Sequence, residues 1–219
     1  MSTETVKRIA QRCRGGGLDL THPLSLAWLD DELRHALPEP TDRLAVLVGN
    51  TRAIWPFIQR APRGPDPVDR HCERVVAEAV EGLGARLFHA HQRYGGRYLP
   101  MQRIAHRAGM LHLSPSHLSL HREHGPWVAL RSLIVLDQPG PAAPAPEAPD
   151  PCTPCDKPCL PAMAIARESP DDDEAWKRWL AVRDACPVGR ASRYSGRQIA
   201  YHYTKDAAWL DAEPNDGGR

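Results

Sequence analysis

The chain is organised around the stretch Cys152-Thr153-Pro154-Cys155-Asp156-Lys157-Pro158-Cys159. This stretch holds three of the six cysteines in the 219 residues, and a fourth, Cys186, follows further along the chain. Clustered thiolates select zinc, Cu(I) or iron–sulfur clusters, and Cys-x2-Cys repeats are common in cluster-binding segments. The pattern therefore predicts a metal centre, with a 4Fe–4S cluster as the leading interpretation. The predicted ligands are Cys152, Cys155, Cys159 and Cys186.

Other interpretations of these cysteines stay open from the residues alone. The spacing is not the ferredoxin Cys-x2-Cys-x2-Cys-x3-Cys-Pro pattern, and Cys186 is remote from the other three. Zinc, free thiols, a disulfide, or a site that has lost its metal are the alternatives. The remaining two cysteines are isolated, and Cys72 is predicted to be a buried packing thiol.

Composition narrows the class of protein. Hydrophobic residues make up 42% of the chain, which is enough for a core, and the net charge of +1 gives no strong case for nucleic acid as a partner. No apolar run reaches the length of a membrane span, and the polar N-terminus lacks a signal-peptide apolar region. We therefore expect a cytoplasmic protein without a membrane partner. An excess of arginine over lysine, with frequent alanine, favours a bacterial origin.

Two stretches decide how the chain is divided. The continuous apolar run Leu44–Val48 predicts a buried strand, whereas nine prolines between Pro139 and Pro161 predict an extended segment. We expect an α+β domain over 1–138, a Pro-rich linker over 139–151, a Cys-rich segment with helices over 152–212, and a disordered tail over 213–219. Strands are predicted at 44–48, 85–90 and 127–136. Helices are predicted at 3–13, from 21 to about 33, and at 53–59, 67–83, 99–108, 175–185 and 195–210.

The run from Leu118 to Arg131, with His121-Arg122-Glu123-His124-Gly125-Pro126-Trp127 at its centre, resembles a segment of two related families. One is the cobalamin-processing proteins, which traffic and decyanate B12, and the other is epoxyqueuosine reductase. Further similarity covers four short stretches: His22–Trp28, Leu44–Val48, Asp66–Asp69 and Arg193–Tyr201. The resemblance implies a nitroreductase-like fold with a mixed or antiparallel sheet flanked by helices.

The cysteine region resembles ferredoxin-like iron–sulfur proteins allied to epoxyqueuosine reductase. The similarity covers 156–160 and the run Ala185-Cys186-Pro187-Val188-Gly189-Arg190. Met163 stands where these relatives have a further cysteine. The resemblance thus implies one cluster on the four remaining cysteines and the loss of a second cluster.

The same resemblance implies a corrinoid near four residues. His121 matches the corrinoid-side histidine of the family, and Gly125 would let the backbone approach the ligand. Trp127 would line the macrocycle, and Arg131 would pair with a corrinoid side chain or phosphate. Each has an ordinary alternative: a half-exposed strand histidine, a turn glycine, a core tryptophan and a surface ion pair.

The leading hypothesis is a redox protein that passes electrons from a 4Fe–4S cluster to a bound cobalamin, supplied by an electron-donor protein. The alternatives are a ferredoxin-like electron carrier without a corrinoid and a cobalamin chaperone without a cluster. The sequence shows no Ser-His-Asp signature, Walker loop or dinucleotide fingerprint, and no catalytic residue is assigned.

Overall fold

The computed structural model describes residues 2–34, 37 and 39–211. The predicted disordered tail, 213–219, lies outside the described residues. The strands are β1 Leu20–Ser25, β2 Arg43–Asn50, β3 Ala85–His89, β4 Arg93–Tyr94, β5 Arg97–Tyr98, β6 His112–Leu113, β7 Ser119–Leu120 and β8 Ala129–Pro139. The helices are α1 Ser2–Gly15, α2 Asp31–Arg34, α3 Trp55–Arg60, α4 Pro67–Ala79, α5 Met101–Arg107, α6 Cys159–Glu168, α7 Ala175–Asp184 and α8 Gly196–Thr204.

One antiparallel sheet forms the centre of the fold, with the strand order β1-β2-β8-β3. Two small hairpins, β4–β5 and β6–β7, lie outside it. The prediction of an α+β fold with an antiparallel sheet flanked by helices is confirmed. The apolar run of β2 is buried from Leu44 onward because both faces of the sheet are covered.

Alternate residues of β2 enter two separate cores. Leu44, Val46 and Val48 pack with α1 and α4, whereas Ala45 and Leu47 pack with α5 on the opposite face. This alternation follows from the two-residue period of a strand. The sheet is therefore stabilised by apolar packing on both sides.

The helix predicted from Thr21 is wrong, because this stretch forms β1. Pro23 would suit the first turn of the predicted helix, but it lies in β1 opposite Val46. Since β1 is the edge strand, a proline that lacks an N–H is tolerated there. Only the short 3-10 helix Leu26–Trp28 and α2 follow.

The chain between β8 and α6 forms neither helix nor strand in the part that the structure describes. The Trp28 Nε1 donates to the Ala143 carbonyl oxygen at 2.9 Å, which holds this stretch against the sheet domain. The predicted extended segment ends earlier than expected, because α6 begins at Cys159 and contains Pro161. Proline fits in a first turn, where the N–H groups have no partner within the helix.

The helices after the cysteines pack on one another and on the sheet domain. α6 lies against α7, with Met163 beside Cys159 and Val182. Tyr201 of α8 joins the core that also contains α1 and α4. No helix among the described residues has the length and apolar character needed to cross a membrane.

Candidate cofactor site at the four cysteines

Four cysteines line a single hollow, called here the cysteine pocket: Cys152, Cys155, Cys159 and Cys186. They come from a turn after the Pro-rich stretch, the first residue of α6 and the chain just after α7. The hairpin β6–β7 closes the other side, where Leu120 packs on Cys152 and Cys186. The fold thus brings the remote Cys186 to the other three.

The charges in the pocket show how closely the thiols interact. Burial, with smaller contributions from Asp150 and the other three cysteines, raises the pKa of Cys152 to about 11. Burial likewise raises the pKa of Cys186, with contributions from Cys159 and Cys155. Burial and the neighbouring sulfurs therefore hold Cys152 and Cys186 in the protonated form, and a bound cation would reverse this.

The separations of the sulfurs distinguish between two kinds of centre. Four sulfurs around one zinc ion at about 2.3 Å would lie about 3.8 Å from one another. Among the described residues, no three of these sulfurs lie within 4.8 Å of one another. In a 4Fe–4S cluster each cysteine binds a different iron, so the sulfurs are spread more widely. The donor set therefore fits a cluster better than a single ion.

Backbone amides point at two of these sulfurs. The Lys157 amide donates to the Cys155 Sγ at 3.3 Å, and the Val188 amide donates to Cys186. Lys157 takes a left-handed conformation, with φ of 54°. Such strain in a residue other than glycine is typical of functional sites. Hydrogen bonds of this kind tune the reduction potential of a thiolate-held cluster.

Gly125 forms a close backbone crossing next to the pocket. Its turn is closed by hydrogen bonds between His121 and Gly125, with N···O distances of 2.9 and 2.8 Å. A Cβ atom on Gly125 would overlap the Val188 carbonyl oxygen, and one on Gly189 would overlap the backbone of His124. The structure therefore places the backbone of the Cys186 loop, not open space, against Gly125.

Trp127 lies behind this crossing and is 1% exposed. The guanidinium groups of Arg183 and Arg193 lie over its ring, 5.5 and 5.4 Å from the centroid. Tyr194 meets it edge-on at 5.6 Å. These contacts agree with the alternative that Trp127 is a core residue.

Five polar residues are called here the polar wall: Asp19, Asn50, Thr51, His121 and Arg131. Asn50 ends β2, Arg131 lies near the start of β8, and Asp19 contributes to the charge around His121. The Nδ1 of His121 accepts from the Glu123 and His124 amides, and burial lowers the pKa of His121, with His124 adding to the effect. The neutral ring therefore carries its proton on Nε2 and acts there as a hydrogen-bond donor. The Nε of Arg131 donates to Asn50 Oδ1 at 2.7 Å.

The wall continues into buried polar atoms that sequence reasoning missed. Asp19 accepts from the Thr51 amide at 2.8 Å and from its hydroxyl at 2.6 Å. Side-chain atoms of Tyr194, Gln198 and His202 are buried without a hydrogen-bond partner among the described residues. Buried polar atoms of this kind mark places where water or a ligand completes the bonding. The pattern at Gly49-Asn50 predicts only a turn, because the partners of these polar groups are distant along the chain.

Comparisons with known proteins agree on the fold. No family model matches the chain, and no curated protein matches it by sequence. A B12-trafficking protein from C. elegans, CblC, a homologue of human MMACHC, matches in structure over 97% of this chain and 98% of its own, with a TM-score of 0.71 and 16% identity. The α+β architecture is thus shared with that protein along nearly its whole length.

Epoxyqueuosine reductases share the same fold. The enzyme from Bacillus subtilis matches over 89% of this chain and 68% of its own, with a TM-score of 0.57 and 14% identity. The enzyme from Streptococcus thermophilus matches over the same shares, with a TM-score of 0.53. At these identities the likeness establishes the fold alone.

Proposed function

We propose that this protein is a nitroreductase-like redox protein that holds a 4Fe–4S cluster on Cys152, Cys155, Cys159 and Cys186 and passes electrons to a corrinoid. The observation that carries the proposal is the convergence of four cysteines in one pocket. The folds shared with a B12-trafficking protein and with epoxyqueuosine reductases support it.

The residues around the pocket have defined roles in this proposal. A bound 4Fe–4S cluster supplies single electrons at a potential that the protein sets. The amides of Lys157 and Val188 stabilise negative charge on the Cys155 and Cys186 sulfurs. Leu118 and Leu120 exclude water from one side of the pocket. The electrons would come from a donor protein.

The polar wall fits a corrinoid in part. When bound, cobalamin supplies the difficult chemistry, while the protein supplies position and charge. The Nε2–H of His121 would donate to a ligand amide, and the guanidinium of Arg131, oriented by Asn50, would bind a phosphate or carbonyl oxygen. Gly125 and Trp127 are covered by the chain itself, so they would support this wall from behind.

The burial of Gly125 and Trp127 by the chain itself favours a second candidate function, that of a ferredoxin-like electron carrier without a corrinoid. Two of the four residues implied by the resemblance are closed to a large ligand, Gly125 by Val188 and Trp127 by two arginines. The third candidate, a cobalamin chaperone without a cluster, is favoured by the nearly full-length structural match to the B12-trafficking protein.

Anaerobic reconstitution with iron and sulfide, followed by titration with cob(II)alamin, separates these functions. The proposal predicts four irons per chain, from the composition of the cluster, and a changed cobalamin absorption spectrum. Cys155→Ser should lose the iron, whereas Cys72→Ala, outside the pocket, should keep it. Arg131→Ala should weaken cobalamin binding by about tenfold or more.

The outcomes point to different functions. Iron with an unchanged cobalamin spectrum would favour the carrier, and a changed spectrum in an iron-free protein would favour the chaperone. A colourless protein that neither takes up iron nor alters the cobalamin spectrum would refute all three.

A further inference from the structure

Next to the cysteine pocket lies a second group of metal-binding side chains: His112, Asp150 and Cys152. One donor atom from each lies within 4.8 Å of the other two. His112 belongs to β6, whereas Asp150 ends the Pro-rich stretch two residues before the first pocket cysteine. The sequence offered no signal for this group, because no spacing rule connects residue 112 with residues 150 and 152.

The separation of the nitrogen and oxygen donors suits a tetrahedral zinc site. The Nε2 of His112 lies 3.2 Å from Asp150 Oδ1. Nitrogen and oxygen ligands at 2.0–2.1 Å from zinc stand about 3.3 Å apart along the edge of a tetrahedron. An ion could therefore enter between these two atoms with little movement of either side chain.

Both side chains are held in place before any ion arrives. The His112 side chain is 13% exposed, and the ring of His106 meets it edge-on with centroids 5.8 Å apart. The carboxylate of Asp150 accepts from the Cys152 amide at 2.7 Å and from the Thr153 hydroxyl at 2.7 Å. Orienting bonds of this kind are typical of metal sites.

The fourth coordination position of an ion bound here would face solvent. The Asp150 side chain is 44% exposed. It borders a surface hollow that is also lined by His106, Arg107 and Glu147. Zinc sites that keep one place for water have three protein ligands of this mixed kind. Imidazole and thiolate donors select zinc over magnesium or calcium.

We infer that His112, Asp150 and Cys152 form a mononuclear zinc site that is separate from the centre on the four cysteines but shares one ligand with it. The Cys152 thiol releases its proton to solvent as the S–Zn bond forms, and no change of oxidation state is involved. Since one sulfur serves both sites, zinc here and a cluster in the pocket exclude each other. That exclusion rests on the proposed function, whereas zinc binding itself does not.

The test uses Co²⁺ as a spectroscopic probe for zinc on the 219-residue chain carrying Cys155→Ser, Cys159→Ser and Cys186→Ser. These changes leave Cys152 as the only pocket cysteine, so a four-cysteine site cannot form. We expect one Co²⁺ per chain, with absorption from a single thiolate–cobalt bond. Adding His112→Ala or Asp150→Asn should raise the Kd for Co²⁺ by about tenfold or more. Adding His117→Ala, which removes an exposed histidine outside the group, should leave the Kd unchanged.

Absence of cobalt binding by the folded triple-serine chain would overturn the inference, as would equal Kd values with and without His112. If the triple-serine chain does not fold, as judged by circular dichroism, the same comparison on Cys155→Ser alone decides the matter by the same criterion.

Iron uptake separates this inference from the proposed function. His112→Ala in the chain with all six cysteines should take up as much iron as the unchanged protein, because the cluster does not need His112. Loss of iron in this variant would refute the separate zinc site. Absence of iron in every variant would refute the proposed function, and the cobalt result would then decide the zinc site by itself.

Discussion

A single methyl group at Gly125 would separate two backbones that the fold brings into contact. Gly125 has φ of +52°, and its missing Cβ leaves room for the Val188 carbonyl oxygen. Gly189 shows the reciprocal arrangement with His124. The position of Cys186, three residues before Gly189, therefore depends on the absence of two side chains.

We expect Gly125→Ala to destabilise the protein and to reduce its iron content. Gly84→Ala is a matched control, because Gly84 has φ of +61° with no atom near its Cβ position. The control should lose about 1 kcal/mol of unfolding free energy from backbone strain, and Gly125→Ala a further 1–3 kcal/mol or so from overpacking. Urea unfolding and iron analysis after reconstitution measure both effects. Equal losses in the two variants would show that the crossing is unimportant.

The sequence could identify candidate ligands at this scale but not their surroundings. Residue type alone predicts the four cysteines as ligands, and the fold brings them to one pocket. The contact that covers Gly125 comes from residue 188, and the rings and cations around Trp127 come from residues 183 to 194. A glycine or tryptophan in a motif does not reveal whether a ligand or the protein itself fills the space beside it.

At the scale of elements, the strongest patterns predicted the structure well. The apolar run in β2 and the periodic helices α1 and α4 formed as expected, because their burial follows from local sequence. The errors fell at Pro23 and Pro161. Proline can occupy an edge strand or a first helical turn, and tertiary position decides between these possibilities.

α8 is expected to make stability depend on pH through His202. Burial, with smaller contributions from Arg131, Lys205 and Arg183, lowers the pKa of His202 to about 3. Between about pH 6.5 and pH 3 the unfolded chain binds this proton while the folded protein does not, so stability falls as the pH falls. The contribution is at most about 1.4 kcal/mol per pH unit.

Urea unfolding of the unchanged protein and of His202→Gln between pH 4 and pH 8 measures how much His202 contributes to the pH dependence of stability. The two curves of unfolding free energy should run parallel above pH 7, where the imidazole is neutral in both states. Below pH 6 the curve of the unchanged protein should be the steeper one. Parallel curves over the whole pH range would contradict the lowered pKa of His202 in the folded protein.

At the scale of the whole molecule, the sheet and the cysteine-pocket region differ in how much apolar packing stabilises them. The sheet has an apolar core on each face, made by α5 on one side and by α1 and α4 on the other. The pocket region has only small clusters around its cysteines, with Leu120 in one and Val182 in another. Its stability should therefore depend strongly on a bound metal centre.

Removal of iron from the reconstituted protein with a chelator should loosen only the region around the cysteine pocket. Amide hydrogen exchange should accelerate in residues 152–160 and 183–190, which carry the cysteines, and stay slow in β2 and β8. The comparison is made between chelated and loaded samples of the same preparation. Equal acceleration in β2 would show that the sheet also relies on the metal centre.

The position of Cys186 after α7 fixes a sequence of events during biosynthesis. The ribosome releases the sheet strands first, then three of the thiols, and the last thiol only after both helices of the α6–α7 pair have been made. A centre that needs all four sulfurs can thus be inserted only into a chain whose sheet is already complete. Insertion of the inorganic component would therefore follow, rather than precede, synthesis of the sheet.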